Sequence, residues 1–517
     1  MTSTLQALTL AVGLAAGSAI APAQADPPRK VILAHYMPWF ETPDVRGFWG
    51  FHWSGFNNEA DPDQIVGPDG RRDIWSNYYP LIDLYDSADP DVLECQLLQM
   101  KLAGIDGVLA DWYGLSDAAD YPIIHFATEA LFDATAEFDM QFAVVFEDRT
   151  YDFRLNNGLL DPADVTADLT ATFQWMQTNW FGAAHYAQDQ GRPLLLNFGP
   201  IELQTPVPWG VALASLTPRP RLYSLASLWT TNSADGAFTW VQGSLFDDFP
   251  SSPLAQQRVL NFFNAPTTDV TRMIPSANPG FDDVYVTPPP GVPNGIPYRN
   301  GDTLRDMLTV AMDGDWPIVQ LVTWNDYGEG TMIEPTREFG YQFLEIVQDA
   351  RRDELGSAFT FTESDLRQPA RLLAQRRAGL IADVTLDQIS DLMRTGDPAA
   401  AAFALDLLEG FDPFVAQPSD TVVDAGGTLV VSAPGAVAPG GTLRWHRDSL
   451  PLVNDARVAG VNSDTLTITG ASAADTGVYR LIASAAGLEA ESADAVVGVR
   501  ASALGRVDIN ADGVLDD

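Results

Sequence analysis

Between Arg29 and about Gly356, short apolar runs alternate with amphipathic stretches. Val31 to Met37 reads as a first strand, Asp91 to Ala103 carries apolar residues at helical spacing, and Ile105 to Trp112 reads as a second strand. Gln141 to Glu147, Pro193 to Phe198, Arg221 to Trp229 and Phe238 to Val241 continue the strand series, with Met273 to Pro275 a weaker member and Ile318 to Trp324 the last. Helices are expected over Pro162 to Trp180, Leu254 to Asn264, Asp302 to Met312 and Arg337 to Arg352. Roughly seven or eight strand–helix units in about 320 residues point to an α/β fold, a (β/α)8 TIM barrel. A doubly wound open sheet is the competing arrangement. No glycine-rich phosphate loop follows any of the strands, which counts against a nucleotide-binding version.

The run from Trp316 to Pro335, WPIVQLVTWNDYGEGTMIEP, carries the densest chemistry. Ile318 to Trp324 suits a strand buried on both faces, and it ends abruptly in Asn325, Asp326, Tyr327, Gly328, Glu329 and Gly330. In parallel α/β folds the carboxyl ends of the strands face the cleft. A turn between Asp326 and Glu329 aims both side chains into one pocket, where mutual repulsion raises one pKa and leaves the other group ionised. The competing reading is that the two acids only cap the turn. Other strand ends offer His35, Tyr36 and Trp39; Asp111, Trp112 and Tyr113; Glu147, Asp148 and Arg149; and Asn197. Aromatic faces stack on the C–H faces of sugars while carboxylates and amides bind hydroxyls, so the set suits a carbohydrate cleft, although any one ring also suits packing at a barrel rim. No H-x-x-x-H or Cys/His cluster accompanies His35 and His52, which favours substrate contact or structure over metal ligation.

Composition adds constraints. The 517 residues exceed one core, and 46% hydrophobic and 10% aromatic content describe a globular chain. The formal charge of −40 reflects missing lysine as much as excess acid, since Lys30 and Lys101 are the only lysines. Such a surface repels phosphate backbones and anionic lipid, which excludes nucleic acid and membrane as expected partners and favours neutral or cationic substrates. Ala7 to Ile20 is apolar, and Ala23-Gln24-Ala25 has the pattern of a signal-peptidase site, so residues 1–25 read as a signal peptide and the protein as secreted, extracellular or periplasmic. Cys95, the only cysteine, lies in a helix-like run and reads as a buried inert thiol.

Beyond the barrel the pattern changes. Residues 357–415 are charged and alanine-rich, with helices expected over Asp365 to Leu380 and Leu386 to Met393, and read as a helical connector. Residues 416–500 switch to short alternating runs broken by Gly, Ser and Asp. There Trp445 and the run Asp475 to Tyr479 match an all-β immunoglobulin-like sandwich with its tyrosine corner, Ala433 and Leu481 standing where the two cysteines would be. In the 501–517 tail, Asp508, Asn510, Asp512 and Asp516 fall at positions 1, 3, 5 and 9 of a dockerin or EF-hand calcium loop. The chain stops before position 12, so the loop is partial and an acidic solvated tail is the alternative.

His35 to Trp39, His52-Trp53 and the stretch from Gly104 to Tyr113 resemble the front half of glycoside hydrolases of families 71 and 99. Trp324 to Glu329 is similar to the motif of family 71, the α-1,3-glucanases, and Glu329 to Pro335 is nearer that of family 99, the endo-acting α-mannosidases. Asp326 and Gly328 stand where family 99 has glutamate and histidine, and Gly330-Thr331 departs from the family 71 continuation. The resemblance implies a catalytic domain over residues 26–356 that cleaves internal α-linkages of an α-mannan or α-glucan without a cofactor. Carried over by position, Asp326 and Glu329 match the carboxylate pair, with Glu329 as general acid and Asp326 as general base. Family 71 implies inversion; family 99 implies retention through the sugar's own 2-hydroxyl. The expected substrate-binding set is His35, Tyr36, Trp39, His52, Trp53, Asp111, Trp112, Tyr113, Glu147, Asn197, Trp324, Asn325, Tyr327 and Glu334. The alternative function is a barrel that binds polysaccharide without cutting it.

Overall fold

The computed structural model describes residues 29–242, 253–285 and 295–500. The expected signal peptide and calcium loop lie outside these residues.

The main sheet is parallel and closes on itself. Strand β1 (Val31–Tyr36) is followed by β2 (Gly107–Trp112), β3 (Gln141–Phe146), β4 (Arg192–Asn197), β5 (Arg221–Leu225) and β6 (Gly236–Phe238). Each pairs with the next. Strand β7 consists of two segments, Met273–Ile274 and Ser276–Ala277, interrupted at Pro275 because proline has no N–H to donate to the ladder. Its first segment pairs with β6 and its second with β8 (Ile318–Leu321). The pairing of β8 back onto β1 completes an eight-stranded barrel.

The weak run around Met273 is thus the seventh strand, bridging β6 and β8. Helices follow seven of the eight strands: α1 (Pro90–Ala103), α2 (Tyr121–Glu137), α3 (Val165–Asn179), α4 (Pro206–Ala214), α5 (Pro253–Asn264), α6 (Asp302–Asp313) and α7 (Gln342–Leu355). The run expected as a strand from Arg221 to Trp229 stops at Leu225, and a turn, not a helix, leads from there to β6. Helix α1 shows how local sequence sets the boundaries. Asp89 caps it by accepting the N–H of Asp91, Pro90 occupies its first turn, and Gly104 ends it in the left-handed region at φ 84°.

The end of the barrel opposite the strand carboxyl termini is held by a buried cation. Arg351 of α7 is wholly buried; it donates to the carbonyls of Gly104 at 2.8 Å and Lys30 at 3.0 Å, and pairs with Asp106 at 2.6 Å and with Glu354. Asp106 in turn accepts the N–H of Ile32 at 2.8 Å, tying β1 to the loop before β2. Both lysines are also occupied with carbonyls. Lys30 Nζ donates to the carbonyls of Trp316, at 2.9 Å, and Gly314; Lys101 Nζ donates to that of Phe138 at 2.8 Å. Cys95 is buried in α1, and burial raises its thiol pKa.

After the barrel come α8 (Gln368–Ala378), α9 (Asp383–Thr395) and α10 (Pro398–Leu408). They form a layer packed on α1 rather than a free spacer: Arg376 of α8 grips Glu94 of α1 and Asp387 of α9. The remaining strands form two sheets, one built on the pairing of Thr442–Arg447 with Gly477–Ala485 and the other on Thr428–Ser432 with Thr465–Thr469. Trp445, Ala433 and Leu481 are buried between them, and the Tyr479 hydroxyl donates to the Asp475 carbonyl at 2.7 Å. This β domain touches α10 closely at Gly440, where a Cβ would stand 2.2 Å from the Ala400 backbone nitrogen.

Replacing Arg351 by Met should strand two buried carbonyls and leave Asp106 with Arg29 as its remaining cationic partner, lowering stability by about 3 kcal/mol. Urea denaturation checks this. Arg351→Lys should recover only part of the loss, because one ammonium cannot span the same acceptors.

Candidate active site

The carboxyl ends of the strands open into a cleft of about 360 Å³. Its wall takes His35, Met37 and Trp39 from the end of β1, Asp111 and Tyr113 from β2, Glu147 and Arg149 from β3, Phe198 from β4, Trp240 from β6, and Asp326 and Glu329 from β8. His52, Phe56 and Tyr285 come from loops.

Of the expected substrate-binding set, His35, Trp39, His52, Asp111, Tyr113 and Glu147 therefore meet in the cleft, beside Asp326 and Glu329. The other eight do not line it. Strand side chains alternate, so the neighbour of an inward residue points outward. Tyr36 turns away from His35 and donates to Gln96 at 2.7 Å; Trp112 turns away from Asp111 and packs against Trp175 and Trp180. Trp53 lies in the core and donates to the Tyr85 carbonyl at 3.0 Å; Asn197 lies beneath the floor and donates to the Phe146 carbonyl at 2.9 Å. Trp324 is fully buried with its indole nitrogen unpaired.

Asn325, Tyr327 and Glu334 belong to a supporting layer. The Asn325 amide accepts the N–H of Met37 at 2.8 Å and donates to its carbonyl at 3.1 Å, clasping the ends of β8 and β1 together. Glu334 accepts Gln96 at 2.6 Å, Tyr85 at 2.8 Å and Tyr327 at 2.9 Å, so its charge is spent inside the protein and not on a ligand. Met37, Phe56, Arg149, Phe198, Trp240 and Tyr285 are lining residues outside the expected set. An aromatic residue one or two positions beyond a strand marks Phe198 and Trp240, whereas nothing in the local pattern marks Phe56 or Tyr285.

The turn carrying the two acids is tightly knit. Thr323 Oγ1 accepts the N–H of Asp326 at 2.8 Å, and Asp326 Oδ1 accepts the N–H of Glu329 at 2.9 Å. Asp326 thus does cap the turn with one oxygen while lining the cleft. Burial raises its pKa to about 6 against the opposing pull of the Glu329 and Gly328 N–H groups. Burial, and then the charge of Asp326, raises Glu329 well above the usual carboxylate range. Asp111 is raised by burial and by Asp326, and Glu147 by burial and by Asp111, with Arg149 pulling both down. His35 is driven down to about 3 by burial, so its ring is neutral and offers one donor and one acceptor.

Both ring nitrogens of His35, both oxygens of Asp111, Oε2 of Glu147 and Oε2 of Glu329 are buried without a hydrogen-bond partner. Burying polar atoms unpaired costs about 1–3 kcal/mol each, and here they share one cleft. Such convergence is what a polyhydroxylated ligand would repay. At the rim Trp39 and His52 stack at 4.2 Å with planes 1° apart, extending an aromatic wall.

A model of Glycosyl hydrolase family 99 matches residues 28–164, the span that supplies β1 to β3 and their cleft residues. The chain is a glycoside hydrolase. More particularly it is a family 99-like one: it is 25% identical over 344 residues to a mouse glycoprotein endo-alpha-1,2-mannosidase-like protein, covering 61% of this chain and 73% of the relative. It is 23% identical over 328 residues to the glycoprotein endo-alpha-1,2-mannosidase of Xenopus laevis, covering 60% and 70%. Among solved structures, the GH99 endo-alpha-mannosidase from Bacteroides thetaiotaomicron aligns with 63% of this chain and 98% of its own, at 17% identity and a TM-score of 0.47. No helix among the described residues is long and apolar enough to cross a membrane.

The raised acids make stability fall as pH rises. A carboxyl whose folded pKa exceeds its unfolded value binds more protons in the native state, so its contribution is full below the unfolded pKa and is lost as pH rises through the folded one. Glu334 is pushed up to about 7 by burial. The thermal midpoint of the ligand-free enzyme should therefore drop between about pH 5 and pH 7, and Glu334→Gln should flatten the slope; calorimetry across that range measures both.

Proposed function

We propose that the cleft hydrolyses internal α-glycosidic linkages of a polysaccharide or large glycan, with an α-mannoside in the reactive position. The carrying observation is the set of buried atoms lacking a hydrogen-bond partner on His35, Asp111, Glu147 and Glu329, gathered beside Asp326. The similarity to proteins named as endo-acting mannosidases favours mannoside over glucoside. The wall rings, Trp39, Trp240 and Tyr113, suit the C–H faces of the sugars.

In this reading Glu329 is the general acid and Asp326 the general base. Near neutral pH the two pKa shifts leave Glu329 protonated and Asp326 ionised. Glu329 passes its proton to the glycosidic oxygen as the bond to the anomeric carbon breaks. Asp326 takes the proton of the mannoside 2-hydroxyl, whose oxygen then attacks the anomeric carbon. Water subsequently opens the strained intermediate, with the proton bookkeeping reversed. The resemblance to family 99 favours this route over direct attack by water, and the anomer first released, read by NMR, distinguishes them. Retention fits the 2-hydroxyl route; inversion fits direct attack.

The remaining proposals concern the rest of the chain. The barrel carries the chemistry, while the helical layer and the β domain brace it, since neither supplies a residue to the cleft. The β domain reads as immunoglobulin-like on its buried Trp445 and the Tyr479 corner. Export rests on the apolar segment Ala7 to Ile20 and the Ala23-Gln24-Ala25 site.

A general acid contributes about 10²- to 10⁴-fold, and less when the leaving group is good. Glu329→Gln should nearly abolish cleavage of a natural mannan yet lose much less on an aryl glycoside, whereas Asp326→Asn should be severe on both. Steady-state rates of folded variants on the two substrates decide the roles. Rescue of Asp326→Asn alone by the aryl substrate would reverse them, and retention of activity within a few-fold by both variants would remove this turn from the chemistry. For the wild type, kcat/KM should rise as pH increases through about 6, where Asp326 ionises, and fall again as Glu329 loses its proton.

A further inference from the structure

Residue 328 lies between the two proposed catalytic acids and has no side chain. Glycine is not required there by a left-handed backbone, since its φ lies outside that region, unlike that of Gly330 at 66°. What a side chain there would displace is a neighbour. A Cβ on Gly328 would stand 2.1 Å from the hydroxyl oxygen of Tyr285 and 2.6 Å from the ring carbon that bears it.

Tyr285 is brought there by a loop sewn to the acid turn. The N–H of Asp282 donates to the Glu329 carbonyl at 2.8 Å, and that of Val284 to the Gly328 carbonyl at 3.0 Å. Around them, the Tyr78 hydroxyl donates to Asp282 at 2.9 Å and the Tyr298 hydroxyl to the Gly330 carbonyl at 2.6 Å. The Tyr285 ring meets Trp75 edge-on at 5.0 Å and Phe56 at 6.0 Å, which leaves its hydroxyl end pointing at the turn. Tyr285 is 39% exposed and is one of the residues that line the cleft.

Resting on the assignment of Asp326 and Glu329 as the acid–base pair, we propose that Tyr285 is a positioning residue for that pair, its hydroxyl donating to the ionised carboxylate from the space that Gly328 leaves open. The second loop thus supplies a polar group that the turn itself does not carry. Burial, then the charges of Asp326 and Glu329, raise the Tyr285 pKa, so the group remains a donor throughout the working range. A donor to the charged form of a carboxyl stabilises that form and lowers its pKa. Deleting the hydroxyl should therefore move the acid limb of the rate profile to higher pH.

The test uses the full chain with Tyr285→Phe, Gly328→Ala and the double variant on a natural α-mannan, folding being checked by thermal unfolding. Loss of one hydrogen bond to a charged group predicts a fall in kcat of about tenfold to a hundredfold for Tyr285→Phe. KM should change little, and the acid limb should shift upward. Gly328→Ala should cause a similar fall by displacing the hydroxyl, and the double variant should lose no more than the worse single one, since both act on the same group. An unchanged kcat and pH profile in Tyr285→Phe, with Asp326→Asn and Glu329→Gln inactive, would overturn the role of Tyr285 and leave the acid pair standing. Losses that multiply in the double variant would also overturn it. Activity in all of these variants would remove the acid pair as well.

Discussion

The clasp between Asn325 and Met37 is the contact on which the site depends. A barrel closes where its last strand meets its first, and here that seam also carries the acid turn on one side and His35 on the other. One amide satisfies both the N–H and the carbonyl of Met37, so the ends of β1 and β8 cannot slide or splay independently. The Trp324 N–H, donated to the His35 carbonyl at 2.6 Å, fixes the register immediately below. Behind the clasp, Glu334 gathers Tyr85, Tyr327 and Gln96 around one buried carboxylate. A network with every member paired is stiff, and stiffness here fixes where Asp326 and Glu329 point.

How far the sequence discloses this is instructive. The barrel was legible because buried parallel strands are continuous apolar runs, and runs such as Phe142 to Phe146 have few other uses. Its seventh strand is nearly hidden, since Pro275 cuts Met273–Ala277 into fragments too short for periodicity to register. At the site, the strand ends were the right places, but residue type alone could not decide orientation. Tyr36 and His35, or Trp112 and Asp111, look equally chemical in one dimension, and only the alternation of the strand separates the one facing the cleft from the one facing the helices. Glu334 looked like a third acid for substrate because nothing in the local sequence reveals three donors arriving from Tyr85, Gln96 and Tyr327. Tyr285 was illegible for the converse reason: its place opposite Gly328 is set by contacts between distant loops.

The cleft is electrostatically unusual as well as polar. Asp111, Glu147, Asp326 and Glu329 share it, among the described residues, with one guanidinium, that of Arg149, and with the imidazoles of His35 and His52, whose pKa values burial lowers. Carboxyls crowded together and buried from water cannot all ionise, so protons are retained there that free acids would have released. Such a pocket is poorly suited to uronic acids or sulfated sugars and well suited to neutral hydroxyls, which donate to the charged oxygens and accept from the protonated ones. The acidity of the outer surface acts in the same sense on approach.

The treatment of lysine has a practical side. Both ammonium groups are turned onto backbone carbonyls, Lys30 at Trp316 and Gly314 and Lys101 at Phe138, so the exterior is decorated with guanidinium as its basic group. Acylating reagents that couple proteins to beads, dyes or surfaces attack free amines, and the two lysine amines of this sequence are both engaged with carbonyls. Attachment through such linkers at lysine would thus be slow. The same scarcity leaves few lysine amines for modifications such as glycation by reducing sugars.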